Sequence, residues 1–304
     1  MSVAASLTNL SVHFLDGVYG ASVSPKALPH GFNRKPSVVG AWRAHMNVAV
    51  KMIDENIQSA LILEDDADWD VALKYQMVEF ARGSRFLLNT SLKHQPQSPY
   101  GDNWDMLWIG HCGVLEQRSD SRRWIISNDA TVEPSEFHLD NVDIPTLEPF
   151  GKEHTRIVFK SANGCCLAGY ALSLSGARKT LNMMSLRPWD GPVDWGWNDL
   201  CKQRITNFTC IAPFPQLIGV HRPAGNQSRW SDIELIENDS VGKAHSLHLV
   251  FPTRMNIERL LTGSTKFISQ HPESTGPEME FEDIIKFKGY ASTIPLELAP
   301  IPKH

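Results

Sequence analysis

Between Ser37 and Asn56 the apolar residues Val38, Val39, Trp42, Met46, Ala49, Val50 and Ile53 recur at steps of three and four, while Arg43, Asn47, Lys51 and Glu55 fall elsewhere. That period predicts an amphipathic helix with one buried face, and Ser37 is placed to cap its start. Residues 59–63 form an apolar run too short for a helix, which predicts a buried strand that ends in carboxylates. A second helix is expected from about Val71 to Asn89, then a Gln/Pro/Ser-rich loop at 94–103 and a second buried strand at 104–110. Upstream, residues 10–18 read as a short strand with its turn, and 21–36, with Pro25, Pro29, Gly31 and Pro36, as an irregular loop. Downstream, 118–155 is polar and without period, the mark of a surface excursion with short strands, before a strand at 165–172 and a helix at 173–184. After Pro188 the chain becomes turn-rich and carries Trp189, Trp195 and Trp197, a density of aromatic side chains that suits a ligand surface. A last helix is expected at 254–262, ahead of a Pro-rich end from Ser292. Helices alternating with strands imply α/β layering, and no internal repeat is present.

The 304 residues are 42% hydrophobic and 21% charged, which excludes disordered, collagenous and coiled-coil classes. A formal net charge of -5 without any Lys/Arg cluster argues against nucleic acid as a ligand. No stretch has the ~18 consecutive apolar residues of a spanning helix, and the first ten residues lack the pattern of a signal peptide. Five cysteines without a C-x-x-C pair argue against zinc and permit at most two internal disulfides. Cys165 and Cys166, on a strand expected to be buried, read as inert packing. N-x-[ST] sequons at Asn9, Asn89, Asn207, Asn226 and Asn238 lean towards the lumen of the secretory pathway, the Golgi or secretion, since five of fifteen asparagines exceed the roughly two expected by chance.

The sharpest local signal is Glu64, Asp65, Asp66, Asp68 and Asp70, five carboxylates in seven residues directly after an apolar strand. Like charges so crowded raise one another's pKa unless a cation compensates. In an open α/β sheet, ligands bind beyond the C-terminal ends of strands, so the cluster is placed to hold a hard divalent ion that bridges a diphosphate. The plainer reading is a solvated acidic turn capping the following helix. An EF-hand loop starting at Asp66 fails, because Val71 and Met77 stand where Gly and Glu are needed. A phosphohydrolase with Asp66 as nucleophile and Asp68 as general acid fits the spacing but leaves Asp70 and the preceding helix unused.

Several blocks in order resemble glycosyltransferase family 25, which includes lipopolysaccharide and collagen galactosyltransferases. They are Pro36-Ser-Val-Val-Gly-Ala-Trp-Arg-Ala-His45, Ala60-Leu-Ile-Leu-Glu-Asp-Asp66, Trp104-Asp-Met-Leu-Trp-Ile-Gly110, Gly169-Tyr-Ala-Leu-Ser-Leu-Ser-Gly-Ala177, Pro192-Val-Asp194 and Gln227-Ser-Arg-Trp-Ser-Asp-Ile233. The run Glu-Asp-Asp-Ala-Asp-Trp-Asp is most similar to fungal members, and the resemblance spans about residues 10–235. It implies a GT-A-like α/β fold with a central mixed sheet flanked by helices, a UDP-sugar donor (UDP-galactose or UDP-glucose), a divalent metal, commonly Mn2+, and inversion at the anomeric carbon. On this chain Glu64-Asp65-Asp66 takes the DXD-like position. Glu64 and Asp66 are the expected metal ligands with His221 completing the shell, and Glu64, Asp65, Asp66 and Trp195 the donor-binding residues. A carboxylate on the opposite face of the sugar would deprotonate the acceptor hydroxyl of a glycan, protein or lipid, with Asp194 and Asp232 as the candidates.

Other residues carry structural alternatives of equal or greater weight. His221 reads also as a solvent-facing loop histidine, Asp194 as a structural carboxylate, His45 as a helix-packing histidine or one bonding a loop over the nucleotide, Trp195 and Trp197 as sugar platforms or core, and Arg34 and Arg43 as solvated surface rather than diphosphate contacts. Two departures from the family are visible. Its usual opening strand, an Ile-Asn-Leu-like run before an Arg-rich helix start, has no counterpart, so a sheet lacking that strand is expected, and Gly40-Ala41 stands where many members have Gly-Cys. The expected organisation is a GT-A-like domain over 1–235 and a C-terminal extension over 236–304 that packs on it or is partly disordered. A non-catalytic relative acting as a binding or partner module is the alternative function.

Overall fold

The computed structural model describes residues 1–90, 96–138, 147–203, 206–227 and 240–294. In chain order its elements are α1 (Ser2–Leu7), α2 (Pro36–Asp54), β1 (Ser59–Leu63), β2 (Ala67–Trp69), α3 (Leu73–Leu87), β3 (Met106–Gly110), β4 (Arg122–Ser127), β5 (Arg156–Ser161), β6 (Gly169–Ser173), α4 (Leu174–Met184), α5 (Val193–Cys201), β7 (Cys210–Phe214) and β8 (Ile218–Arg222). There follow β9 (Gly225–Asn226), β10 (Ser240–Val241), β11 (His245–Ser246), α6 (Ile257–Leu261), β12 (Lys266–Ile268), α7 (Pro272–Thr275), β13 (Glu278–Glu280), α8 (Phe281–Ile284) and β14 (Lys288–Thr293). The main sheet has seven strands in the order β1-β6-β3-β7-β5-β4-β14, all antiparallel except for the parallel β3–β7 pair. The fold is therefore mixed α/β, with helices on both faces of a mixed sheet.

Strand alternation sorts the core. On β3, Met106 and Trp108 face a core shared with Val39, Trp42, Met46, Ala49 and Met52 of α2, while Leu107 and Ile109 face a second core with Trp69, Leu73, Phe80 and Leu87. Complete burial of Trp42, Trp108 and Trp197 fixes α2, β3 and α5 against one another, and each such side chain is worth about 3 kcal/mol or more against truncation to Ala. A small sheet, β11-β8-β2, leaves the main one where the acidic stretch begins. A Cβ at Gly219 would come within 1.9 Å of the Leu247 carbonyl oxygen, so the bare glycine lets the segment after β11 lie against β8.

Several expectations need correction. The helix expected from Ser37 starts one residue earlier, with Pro36 at its first position and no side-chain cap, because proline's missing N–H costs nothing there. No strand forms at 10–18: Leu10 and Val12 pack on the second core, but Phe14 is 65% and Leu15 49% exposed and no neighbouring strand pairs with them. β1 has the expected bounds but is an edge strand with Leu61 42% exposed rather than a buried one. Part of the polar 118–155 region is interior, since Arg123, Asp129, Thr131 and Glu133 are buried, with Asp129 bonded to Arg156 at 2.8 Å and Arg123 to the buried Glu116 just upstream at 3.0 Å. The turn-rich stretch after Pro188 becomes helix α5 from Val193, entered from Pro192. β14 completes one edge of the main sheet by pairing with β4. Among the described residues no helix is long and apolar enough to cross a membrane.

Candidate active site

The acidic stretch divides at Ala67. β2 pairs with β8 in the register Ala67↔Val220 and Asp68↔Gly219, which sets Asp66 opposite His221, whose N–H donates to the Asp66 carbonyl at 2.7 Å. Residues 155 positions apart in sequence are thus brought together by one antiparallel pairing. Arg222 Nη1 donates to Asp66 Oδ2 at 3.1 Å, whereas Asp66 Oδ1 is buried without a hydrogen-bond partner. Burial first, then the neighbouring Glu64 carboxylate, push the Asp66 carboxyl up to about 6, with Arg222 opposing. A carboxylate oxygen left without a donor is one that a proton, a water or a cation can fill.

His221 is held as a neutral imidazole. Its Nδ1 lies 3.1 Å from Ser246 Oγ, and Ser246 Oγ lies 2.7 Å from Asp68 Oδ2. The single serine proton goes to the carboxylate, so Ser246 Oγ accepts from His221 Nδ1–H and the lone pair stays on Nε2. Partial burial and the surrounding Arg254, His245, N-terminal and Arg222 charges hold this imidazole down at about 4, unprotonated at neutral pH. A hydrogen-bonded chain from carboxylate to imidazole is how proteins fix the tautomer and orientation of a metal-ligating histidine.

On the other side, Glu64 directly follows β1, and its N–H donates to the Ala168 carbonyl at 3.2 Å. Its Oε1 lies 3.5 Å from His45 Nε2, while His45 Nδ1 is 2.8 Å from Tyr170 Oη. Burial and Glu64 hold the Tyr170 phenol well above its usual range, so Tyr170 stays the donor and His45 presents Nε2–H to Glu64. His45 therefore both packs in the core and orients Glu64. Arg254 Nη2 donates to the carbonyls of Asp65 and Ala67, each at 3.0 Å, while its buried Nε has no partner. Asp65 itself is exposed. Arg254, Arg222, Ser246 and Tyr170 are given no role by the sequence, although Arg222 adjoins His221 and Tyr170 lies in the Gly169-to-Ala177 block.

Asp68 and Asp70 do different work. Asp68 is fully buried, accepting from Ser246 Oγ and from the Arg254 backbone N–H at 3.3 Å. A general acid so enclosed has no access to a substrate, which removes the geometric basis for pairing it with Asp66 in phosphoryl chemistry. Asp70 Oδ1 accepts the backbone N–H groups of Val250 (3.2 Å) and Phe251. It ties the C-terminal segment to the start of α3, and complete burial pushes its carboxyl up to about 7. The N-cap of α3 is Ala72, not Asp70, so the acidic stretch does not cap the helix.

Asp194 sits in the first turn of α5, its Oδ2 accepting from the Cys166 N–H at 3.1 Å and its Oδ1 from the Trp195 N–H at 3.0 Å. It meets the acidic stretch through the loop before β6, because Cys166 holds Asp194 and Ala168 holds Glu64. Two residues of chain span at most ~7 Å, which brings the Asp194 carboxylate and the Glu64 backbone to one short segment. Trp195 is 55% exposed beside Asp194, while Trp197 is fully buried with Nε1 donating to Thr180 Oγ1 at 2.9 Å and so belongs to the core. Arg34 pairs with Asp190 at 2.9 Å rather than facing the acidic stretch. Asp232 lies outside the described residues.

Among the described residues no three His, Cys, Asp or Glu side chains already converge as a metal cage. The orphan Asp66 oxygen and the neutral His221 nitrogen are nevertheless donor types that a divalent ion accepts. No family model matches this chain, and comparison with curated proteins finds no match either.

Proposed function

We propose that the protein is a metal-dependent, inverting glycosyltransferase of GT-A-like fold that moves a hexose, in our reading galactose, from a UDP-sugar to a hydroxyl of a glycan, protein or lipid. The observation that supports it most is the unpartnered Asp66 Oδ1 beside a His221 whose Nδ1–H is fixed by Ser246 and Asp68. Asp66 and His221, with Glu64 adjacent, would hold Mn2+, and when bound the ion supplies neutralisation of the charge that develops on the departing UDP. Arg222 and the unpartnered Nε of Arg254 bring positive charge to the same place, suited to diphosphate oxygens. Asp194 accepts the acceptor's proton in this reading, and the exposed Trp195 ring offers the sugar a flat apolar face. Disulfides Cys112–Cys166 and Cys201–Cys210, with exposed sequon residues Asn9, Asn89, Asn207 and Asn226, support an oxidising secretory compartment.

One observation favours a second reading, a binding module without turnover: both Asp194 oxygens already accept backbone N–H groups. Calorimetric titration of UDP into the full chain, with and without Mn2+ and beside Asp66→Asn, tests the shared part of both readings. Binding that needs the metal and weakens at least tenfold in the variant supports the site. A folded chain that binds no UDP in the presence of Mn2+ overturns it. Transfer from UDP-galactose across an acceptor panel then separates enzyme from module.

A further inference from the structure

Three sulfurs meet in the loop that anchors Asp194. Cys112 is bonded to Cys166, and the free Cys165 places its Sγ 3.4 Å from Cys112 Sγ. The backbone holds this approach from both sides: Cys112 N–H donates to the Cys165 carbonyl at 3.0 Å and Cys165 N–H to the Gly113 carbonyl at 3.1 Å. Cys112 thus has two thiol partners in consecutive residues of one loop. Cys166, the one it is bonded to, has a φ of 60°, a left-handed conformation that a residue with a Cβ adopts at a cost of about 1 kcal/mol. Cys166 also makes the N–H bond to Asp194, and its carbonyl accepts from Trp108 Nε1 at 2.9 Å.

We propose that Cys112 exchanges partners, so that the chain interconverts between a Cys112–Cys166 and a Cys112–Cys165 disulfide. The Cys165 thiolate attacks Cys112 Sγ, the new bond forms there, the bond to Cys166 breaks, and Cys166 Sγ leaves with the electron pair and takes up the proton that Cys165 released. Nothing is oxidised or reduced overall, and no outside reagent is needed. Burial and the nearby Asp194 carboxylate push the Cys165 thiol up, which keeps the thiolate scarce and the exchange slow. Exchange frees Cys166, the exposed member of the pair, from its left-handed tether and with it the N–H that positions Asp194. The exchange stands on the sulfur geometry alone; its consequence for catalysis rests on the transferase reading, so either can fail without the other.

The test is alkylation of the native full-length chain with N-ethylmaleimide across a hundredfold range of reagent concentration, followed by fragmentation mass spectrometry that separates label on Cys165 from label on Cys166. The expected result is label on both residues, with the Cys166 share changing with reagent concentration because interconversion competes with capping. In Cys165→Ser the Cys166 label should fall at least tenfold, since the attacking thiol is gone. Label confined to Cys165 overturns the proposal, as does a Cys166 share that stays constant across the range, which would mean a frozen mixture. Undiminished Cys166 label in Cys165→Ser overturns it too, because the disulfide would then open without Cys165. Cys166→Ser adds a check that requires no exchange: it should form Cys112–Cys165 and show no free thiol when unfolded. Two free thiols in that variant would mean that Cys165 cannot bond Cys112 and would overturn the proposal as well.

Discussion

Asp66 and Asp70 lie four residues apart on one strand-to-helix connection, and the structure gives them opposite employment. Asp70 is enclosed, with two backbone N–H groups of the C-terminal segment aimed at one oxygen. Asp66 is part-exposed, with one oxygen on Arg222 and the other on nothing. A carboxylate whose acceptors are filled is a structural pin, and one with a buried oxygen unfilled has capacity left for a ligand, the capacity on which the proposed function rests. Asp68 stands between the two in function as in sequence: it is buried like Asp70, yet through Ser246 it acts on His221 and therefore on the same site as Asp66.

Substitutions should pull this comparison apart. The largest expected effect is on stability at Asp70: Asp70→Ala leaves two buried N–H groups unmet and should cost about 3 kcal/mol or more in denaturant unfolding, while Asp66→Asn should change stability by less than ~1 kcal/mol and weaken metal-dependent UDP binding at least tenfold. Equal destabilisation by the two would erase the distinction.

Ser246→Ala comes next. Loss of the hydroxyl between Asp68 and His221 should weaken Mn2+-dependent UDP binding roughly 10- to 100-fold, the usual cost of disturbing a ligand's supporting partner, for only ~1–2 kcal/mol of stability. Unchanged affinity would show that His221 needs no such support.

The third is a pH effect. The folded Asp70 carboxyl at about 7 lies above its unfolded value near 3.8, so between those values the folded state binds more protons. Its favourable contribution is complete below about pH 4 and is lost as pH rises through 7. The stability of the parent chain relative to Asp70→Asn should therefore fall by roughly 2–4 kcal/mol from pH 4 to pH 8. A flat difference would mean that the two N–H donors keep Asp70 ionised throughout. Smallest of all, Trp195→Ala should alter stability by no more than ~0.5 kcal/mol, since the ring is exposed, and leave UDP affinity intact; its effect is reserved for transfer rate.

What the sequence made legible follows from the range of the interactions involved. β1, β3, α2 and α4 declared themselves through local period and end within a few residues of expectation, because hydrophobic spacing is itself local. Glu64, Asp65 and Asp66 stood out as a cluster, but the split between Asp66 and its neighbours did not, since it depends on Ser246, Val250, Phe251 and Arg254 arriving from 178 or more residues away. His221 was named only through the family resemblance, and the β2–β8 register that sets it beside Asp66 leaves no mark in either segment alone. α5 was read as turns because Gly191 and Pro192 dominate its approach, although a proline just before a helix is a start signal as much as a break. Cys165 and Cys166 read as packing because the strand expected over 165–172 reaches too far upstream: β6 begins only at Gly169.

The most direct test of the central claim is electron paramagnetic resonance of Mn2+ titrated into the chain with UDP present, for the parent, Asp66→Asn and His221→Ala. The account predicts loss of the free-ion signal with about one Mn2+ held per chain in the parent, and affinity reduced at least tenfold in each variant. A Mn2+ titration identical in the parent and Asp66→Asn would contradict it.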